Sequence, residues 1–406
     1  MMILTRPPHL NIAQTGDYWQ IITNLIKGQG YSMCDRSYFP FCGPSNQVTA
    51  TREPAPVLFF TLSALLFPNN LVAAAVLELV LFIGILIALY LLTKRLAGIR
   101  TALLASLIWA AYLPGLKLVP QISGDLMGTL GITVGIYFVS LARKTDLNRD
   151  WILAGAGLGL AVMSRSASLV IVLVMAMGLL VESWSKHGKW LEWLRPSFLI
   201  VLITAVMMFP WLVRNQVEFG KPVLGSSLTG YNIYRQNFIV GSPNYLHYVG
   251  ASEGAQAIQS LLERRPDLLG TENEAQMDLV YRQEGLKIIF AHPIKYLALS
   301  TYRFLPLWFN WGISEAYGTP ESYFDYLIMV EQAFLLFLAL FGAFRQKLEI
   351  WPLWAGILGI SLAYMSIDCQ LRYLVSVMPL VICLAGIGLV KIFEPVPDKE
   401  DQAQSA

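Results

Sequence analysis

The feature that most constrains this chain is repeated along it: apolar runs approaching the ~20 residues a helix needs to cross a hydrocarbon layer. Such runs occupy residues 71–93, 101–116, 124–142, 151–163, 167–181, 197–212, 325–344, 350–366 and 375–393. In lipid a backbone must satisfy its own hydrogen bonds, and a single run of this length does so as a helix. The expected fold is an all-α polytopic membrane protein with about nine to ten visible transmembrane helices. Composition agrees, with 55% hydrophobic and 14% charged residues, against roughly 25% charged in an average soluble domain. The runs at 151–163 and 167–181 are short, which fits tilted helices or a local break around "SRS".

The connections alternate in charge. Lys94, Arg95 and Arg100 follow the first run, and Arg143, Lys144 and Arg149 the third. Lys186, Lys189 and Arg195 follow the fifth, Arg345 and Lys347 the seventh, and Lys391 ends the last. The positive-inside rule puts these in the cytoplasm. The chain then divides into an extracytoplasmic first loop with interfacial helices (1–70), transmembrane helices (71–212) and a second extracytoplasmic loop (213–324). C-terminal transmembrane helices (325–393) and a cytoplasmic tail (394–406) complete it. The tail, "EPVPDKEDQAQSA", is polar and proline-bearing and is expected to lack fixed structure. "MMILTRPPHL" has no apolar core of the signal-peptide kind. An outside N-terminus therefore requires unaided translocation or a first span upstream of Met1, and the second is preferred.

Several functions are disfavoured. A net charge of +2 without a Lys/Arg-rich block gives no footprint for nucleic acid. No glycine-rich nucleotide loop is present, which argues against a cytosolic nucleotide-sugar donor. His247 and His292 lack partners at metal-ligand spacing, so no zinc site and no cofactor are expected. Of the four cysteines, Cys34 and Cys42 share the first loop and are expected to pair if it faces an oxidising compartment. Closing so short a loop stabilises by ~2–3 kcal/mol in the chain-entropy view. Cys369 and Cys383 read as packed thiols.

Polar residues gather near the expected outer surface. "AQTGDYWQIITNLIKGQGYS" sets Asp17 on a short interfacial helix (17–27), after which Gly28 and Gly30 let the chain turn. "TREPAPVLFF" places Arg52 and Glu53 before a helix-starting proline. Asp125 opens another run, and Arg165, Arg214 and Arg372 stand at outer run ends against the charge trend. Each feature has a plainer reading: Asp17 as a helix cap, and each arginine as a snorkelling anchor. Three arginines at one depth suit an anionic head group such as a lipid phosphate or pyrophosphate, for which the guanidinium fork is fitted. "GYNIYRQNF" (230–238), with Asn232, offers amides and aromatic rings to a sugar, or forms a packed loop over the membrane. Residues 251–293 read as helical. Residues 292–312 read as an amphipathic helix in the interfacial plane, with a tenth span as the alternative.

In order along the chain, "GDYWQIITNLIKGQGYS", "TREPAPVLFF", "MSRSASL", "FPWLVRNQVEFGKPV", "SLTGYNIYRQNF", "AHPIKYLALSTYRFLPLWF" and "QLRYLVSVMPLVICLAG" resemble the bacterial membrane glycosyltransferases of the GT-C class. The nearest branch is similar to relatives of the dolichyl-phosphate-mannose protein mannosyltransferases and the lipid A aminoarabinose transferase. The resemblance implies a GT-C-like bundle in the plasma (inner) membrane with its active site on the extracytoplasmic face. It implies Asp17 as catalytic base and Glu53 as a second acid in the same loop, with Arg52 its basic neighbour. The donor it implies is a polyprenyl-phosphate-linked sugar held by Arg165, Arg214 and Arg372, with Tyr373 and Asn232 as further substrate contacts. The acceptor is a lipid, glycan or protein, with membrane lipids around it, and transfer inverts the anomeric centre. Three features depart from the family pattern: no helix precedes Asp17, the order is Arg52-Glu53 rather than Asp-Glu or Glu-Lys, and no large acceptor-binding domain follows. Two other classes remain open. A transporter or flippase would line a midplane cavity with ionisable groups, yet Glu78 is the only acid well inside a long run. The other is a non-catalytic scaffold of the same fold.

Overall fold

The apolar runs are helices in the computed structural model, which describes residues 12–43, 46–67, 71–186, 190–316, 318, 322–344 and 350–393. The first half comprises α1 (Ile12–Ile26), α2 (Pro54–Leu66), α3 (Leu71–Ala111), α4 (Leu113–Leu118), α5 (Asp125–Thr145), α6 (Asn148–Ser164), α7 (Leu169–Lys186) and α8 (Trp190–Phe219). Shorter helices follow: α9 (Thr229–Asn237), α10 (Ala251–Arg264), α11 (Glu274–Ala291), α12 (Pro293–Tyr302), α13 (Phe304–Phe309) and α14 (Ile313–Ala316). The chain returns to long helices with α15 (Tyr323–Phe344), α16 (Trp351–Ile367), α17 (Leu371–Leu374) and α18 (Met378–Phe393). Among the described residues, β-pairing is limited to one isolated bridge, Ser32 with Val48.

Among the described residues, six stretches are long and apolar enough to cross a bilayer: α3, α5, Ser166–Trp184, Leu194–Phe219, α15 and Leu371–Phe393. Shorter apolar helices, α2 and α16, pack beside them. The stretch Leu371–Phe393 is the axis of the bundle, with 89% of its apolar window buried against 33% for α15. Elsewhere large apolar side chains face outward, among them Leu107, Phe209 and Phe337, as lipid contact requires.

Two backbone features shape the bundle. α3 is a hairpin: Trp109 Nε1 donates to the Phe82 carbonyl at 3.2 Å across 27 positions, where a straight helix would hold them ~40 Å apart. The reversal is at Gly98, whose φ of 85° is a left-handed conformation that glycine adopts without cost to a Cβ. The runs 71–93 and 101–116 are thus the arms of one element. The second feature is the α5–α6 seam. A Cβ on Gly131 would lie 2.7 Å from Ala161 N, and one on Gly157 would lie 2.7 Å from Gly135 N. Small residues let these helices approach backbone to backbone, as membrane helices do without a hydrophobic drive between them.

Several charged clusters lie toward the two ends of the bundle, while Glu78 is buried inside α3. At one end Arg95 Nη2 donates to the Ser140 carbonyl (3.1 Å), Arg143 Nε to Glu182 (2.9 Å), and Arg195 pairs with Asp146. The other, loop-bearing end holds α1, the segment before α2, and α9–α13. There Cys34 and Cys42 form the expected disulfide. Arg214 straps the first loop to α8, donating to the Thr49 carbonyl at 2.8 Å and the Tyr31 carbonyl at 3.1 Å.

Several expectations change in detail. Asp17 lies inside α1 rather than at its start, so it is not a cap. Residues 251–293 form two helices, and α11 begins with a reciprocal capping box between Asn273 and Gln276. The segment 292–312 divides at Arg303 into helices of 10 and 6 residues, too short to span. The N-terminal decapeptide and the tail 394–406 lie outside the described residues.

Candidate active site

At the loop-bearing end a cavity of about 560 Å³ is walled by the segment before α2, the turn between α6 and α7, residues 221–229, α9, α11 and the end of α16. Glu53 reaches it because Pro54 begins α2 and holds the preceding residue extended, with ψ 148°. Glu53 Oε1 accepts from Ser166 N and Ser166 Oγ, both at 2.9 Å. Gly225 closes over this turn: a Cβ there would stand 2.3 Å from Ser166 Cβ. Glycine is what lets the 221–229 wall come so near.

Arg52, also in the wall, pairs through Nη2 with Asp17, and the Tyr38 phenol donates to the same Asp17 oxygen at 3.1 Å. Burial works against the Arg52 charge, but Asp17 together with the Tyr38 and Tyr18 phenols outweighs it and holds the guanidinium above its ordinary value. The Tyr18 ring lies 5.5 Å from the Arg52 guanidinium carbon, and burial pushes its phenol up to about 12. Arg165 repeats the arrangement on another wall, pairing through Nη2 with buried Asp125. Its guanidinium carbon stands 5.1 Å from the Tyr373 ring centre. In both arginines Nε is buried and has no hydrogen-bond partner among the described residues.

Tyr373 is held from several sides. Its ring stacks on Tyr364 at 4.5 Å, its hydroxyl donates to Asp368 Oδ2 (3.2 Å), and Arg372 Nη2 donates to that hydroxyl (3.1 Å). On the opposite wall Asp278 Oδ1 accepts from Gly230 N (2.5 Å) at the start of α9, and Oδ2 from Arg282 (2.9 Å). Burial pushes its carboxyl up to about 6 despite these donors.

Of the residues singled out from sequence, Arg52, Glu53, Arg165, Asn232 and Tyr373 line one cavity. Asp17 and Arg372 stand one contact behind the wall, through Arg52 and Tyr373 respectively. Arg214 stands elsewhere. It does not line the cavity, and its donors go to two backbone carbonyls and to Asn215 (2.8 Å), so it fastens loop to helix. Ser166, Asp278 and Asp368 were missed. Ser166 lies inside the quoted "MSRSASL" and Asp368 two residues before "QLRYLVSVMPLVICLAG", whereas the Asp278–Arg282 spacing looks like any ion pair on an exposed helix face. Among the described residues no three His, Cys, Asp or Glu side chains gather as metal ligands. His247 instead pairs with Glu253 at 3.0 Å.

The comparisons give the chain the fold of the GT-C membrane proteins. The family described as dolichyl-phosphate-mannose-protein mannosyltransferase matches residues 51–213. The apo oligosaccharyltransferase of Archaeoglobus fulgidus superposes with a TM-score of 0.56 at 14% identity, over 100% of this chain and 49% of that one. AglB of the same organism, in complex with an inhibitory peptide and a dolichol-phosphate, gives 0.51 at 13% identity over 97% and 47%. Apo ArnT from Cupriavidus metallidurans gives 0.39 at 12% identity over 93% and 72%. The chain spans about half the length of the oligosaccharyltransferases it matches. No curated protein matches it by sequence.

Proposed function

We propose that this chain is a membrane glycosyltransferase that moves a sugar from a polyprenyl-phosphate donor to a lipid, glycan or protein acceptor. In this proposal the reaction takes place at the extracytoplasmic face of the plasma membrane. The carrying observation is the pair of cavity arginines. Arg52 and Arg165 both line the cavity, and each is held through Nη2 by a carboxylate. Two guanidinium groups fixed in one cavity wall suit a phosphate, which takes charge-assisted bonds from both. That AglB is in complex with a dolichol-phosphate supports this choice of anion.

In this reading Glu53 is the general base. Its carboxylate takes the acceptor hydroxyl proton as that oxygen bonds to the anomeric carbon, and the bond from that carbon to the phosphate oxygen breaks. The phosphate leaves with its charge held by Arg165 and Arg52. Displacement in one step from the opposite side inverts the anomeric centre. Asp17 keeps the Arg52 guanidinium charged and aimed. Asn232 in the cavity wall is the sugar-facing group. The gathering of Arg95, Arg143 and Arg195 at the far end supports a cytoplasmic assignment there.

The test is release of polyprenyl phosphate from a panel of synthetic polyprenyl-phosphate sugars by the protein in liposomes. Arg165→Ala is expected to raise the donor KM by ~10-fold or more. Folded protein that moves these lipids across the bilayer without cleaving any would instead identify a flippase. For the face, a cysteine at Ser252 is expected to react with a membrane-impermeant thiol reagent in intact cells while a C-terminal tag stays protected.

A further inference from the structure

We infer that Asp368 is a positioning residue for the phosphate end of the cavity, acting through the Tyr373 phenol; the inference rests on the donor-phosphate reading above. α16 ends at Ile367, and Asp368 continues in extended backbone, φ −151° and ψ 135°. The last carbonyls of that helix have no partners within it and carry the negative end of its dipole. Arg303 answers both: Nη1 donates to the Met365 and Ser366 carbonyls, each at 3.3 Å. The same guanidinium donates through Nη2 to the Gln236 carbonyl on α9. Gln236 in turn donates from Nε2 to Asp368 Oδ1 at 3.1 Å, and the Tyr373 hydroxyl donates to Oδ2.

Both oxygens of a buried carboxylate in the cavity wall are therefore occupied by donors from the protein. Such a group orients its neighbours rather than accepting a substrate proton. What it orients is the Tyr373 ring. The phenol oxygen receives a hydrogen bond from Arg372 and passes its own proton toward Asp368, which leaves one rotor direction. With the ring also stacked on Tyr364, its plane is set, and the Arg165 guanidinium lies against that ring. The cation that meets the phosphate is aimed by an acid that does not touch it. Through Gln236 the aim is tied to α9, the wall bearing Asn232.

The experiment measures binding of undecaprenyl phosphate to the purified full chain in detergent, with thermal unfolding recorded for each variant. Asp368→Asn presents an acceptor on one side only and no charge; Tyr373→Phe keeps the ring and removes the link. Each is expected to weaken binding by about tenfold, and the double variant by no more than the worse single one, because both cut the same connection. Gln236→Leu, which leaves Asp368 and Tyr373 in place, is expected to weaken binding by a few-fold, with its effect likewise absent beside Tyr373→Phe. Penalties that multiply to about a hundredfold in the Asp368→Asn/Tyr373→Phe double variant would overturn the inference, as would unchanged affinity in Asp368→Asn. Absence of saturable binding by the unaltered protein would overturn the donor reading itself, and that outcome is visible before any substitution is made.

Discussion

Replacing Glu53 with Gln separates what its carboxylate does chemically from what it does structurally. A glutamine oxygen at the Oε1 position still accepts from Ser166 N and Ser166 Oγ, both now at 2.9 Å. Each bond loses its charge assistance, falling from ~1.5–3 to ~0.5–1.5 kcal/mol, so the fold is expected to lose roughly 2–3 kcal/mol in total. Loss of a positioned base costs far more in rate: turnover is expected to fall by ~10²–10⁴, or roughly 3–5 kcal/mol of barrier. Donor affinity is expected to hold or tighten, since an anion has been removed from beside the phosphate. The assay is polyprenyl-phosphate release under single-turnover conditions, with folded enzyme matched by size-exclusion and thermal unfolding. Full-rate release by Glu53→Gln would refute the reasoning and leave Asp17 as the acid to test.

Asp17→Asn is expected to destabilise by about 2 kcal/mol, because it strips the partly buried counter-charge from Arg52, and Arg52→Gln in the same chain is expected to restore part of that loss. Unchanged thermal stability with lost turnover would instead make Asp17 the base. Gly157→Val forces a side chain into the α5–α6 seam, where even a Cβ stands 2.7 Å from Gly135 N. A loss of ~1–3 kcal/mol or more is expected by thermal unfolding in detergent, and wild-type stability would show that the seam is looser than described. Asp278 carries a pH signature: its folded carboxyl is raised to about 6 by burial, so the folded state binds the proton more tightly than the unfolded chain. Its contribution is full below about pH 4 and is lost as pH rises through 6, by roughly 3 kcal/mol. Stability curves of the parent and Asp278→Asn proteins between pH 4 and 7 are expected to differ by that slope, and parallel curves would refute it.

The class of fold was legible in the sequence for a simple reason. A helix in lipid satisfies its backbone within one continuous segment, so an apolar run of sufficient length declares itself without reference to the rest of the chain. The Cys34–Cys42 bridge was legible on the same ground, since both residues lie in one short loop. Arg52, Glu53, Arg165, Asn232 and Tyr373, grouped from sequence by the family resemblance where spacing could not do it, line one cavity. Roles within the site were not legible. Asp17 and Arg52 are 35 positions apart, Asp125 and Arg165 40, Glu53 and Ser166 113, and Gln236 and Asp368 132. Which acid meets the cavity and which one sits behind an arginine depends on how those segments pack. The same holds for Arg214, which at the end of an apolar run looks like any other phosphate-seeking cation until the Thr49 and Tyr31 carbonyls are found against it. A side chain's chemistry is set by its residue type, but its partners are set by contacts between distant helices, and only the folded bundle brings those together.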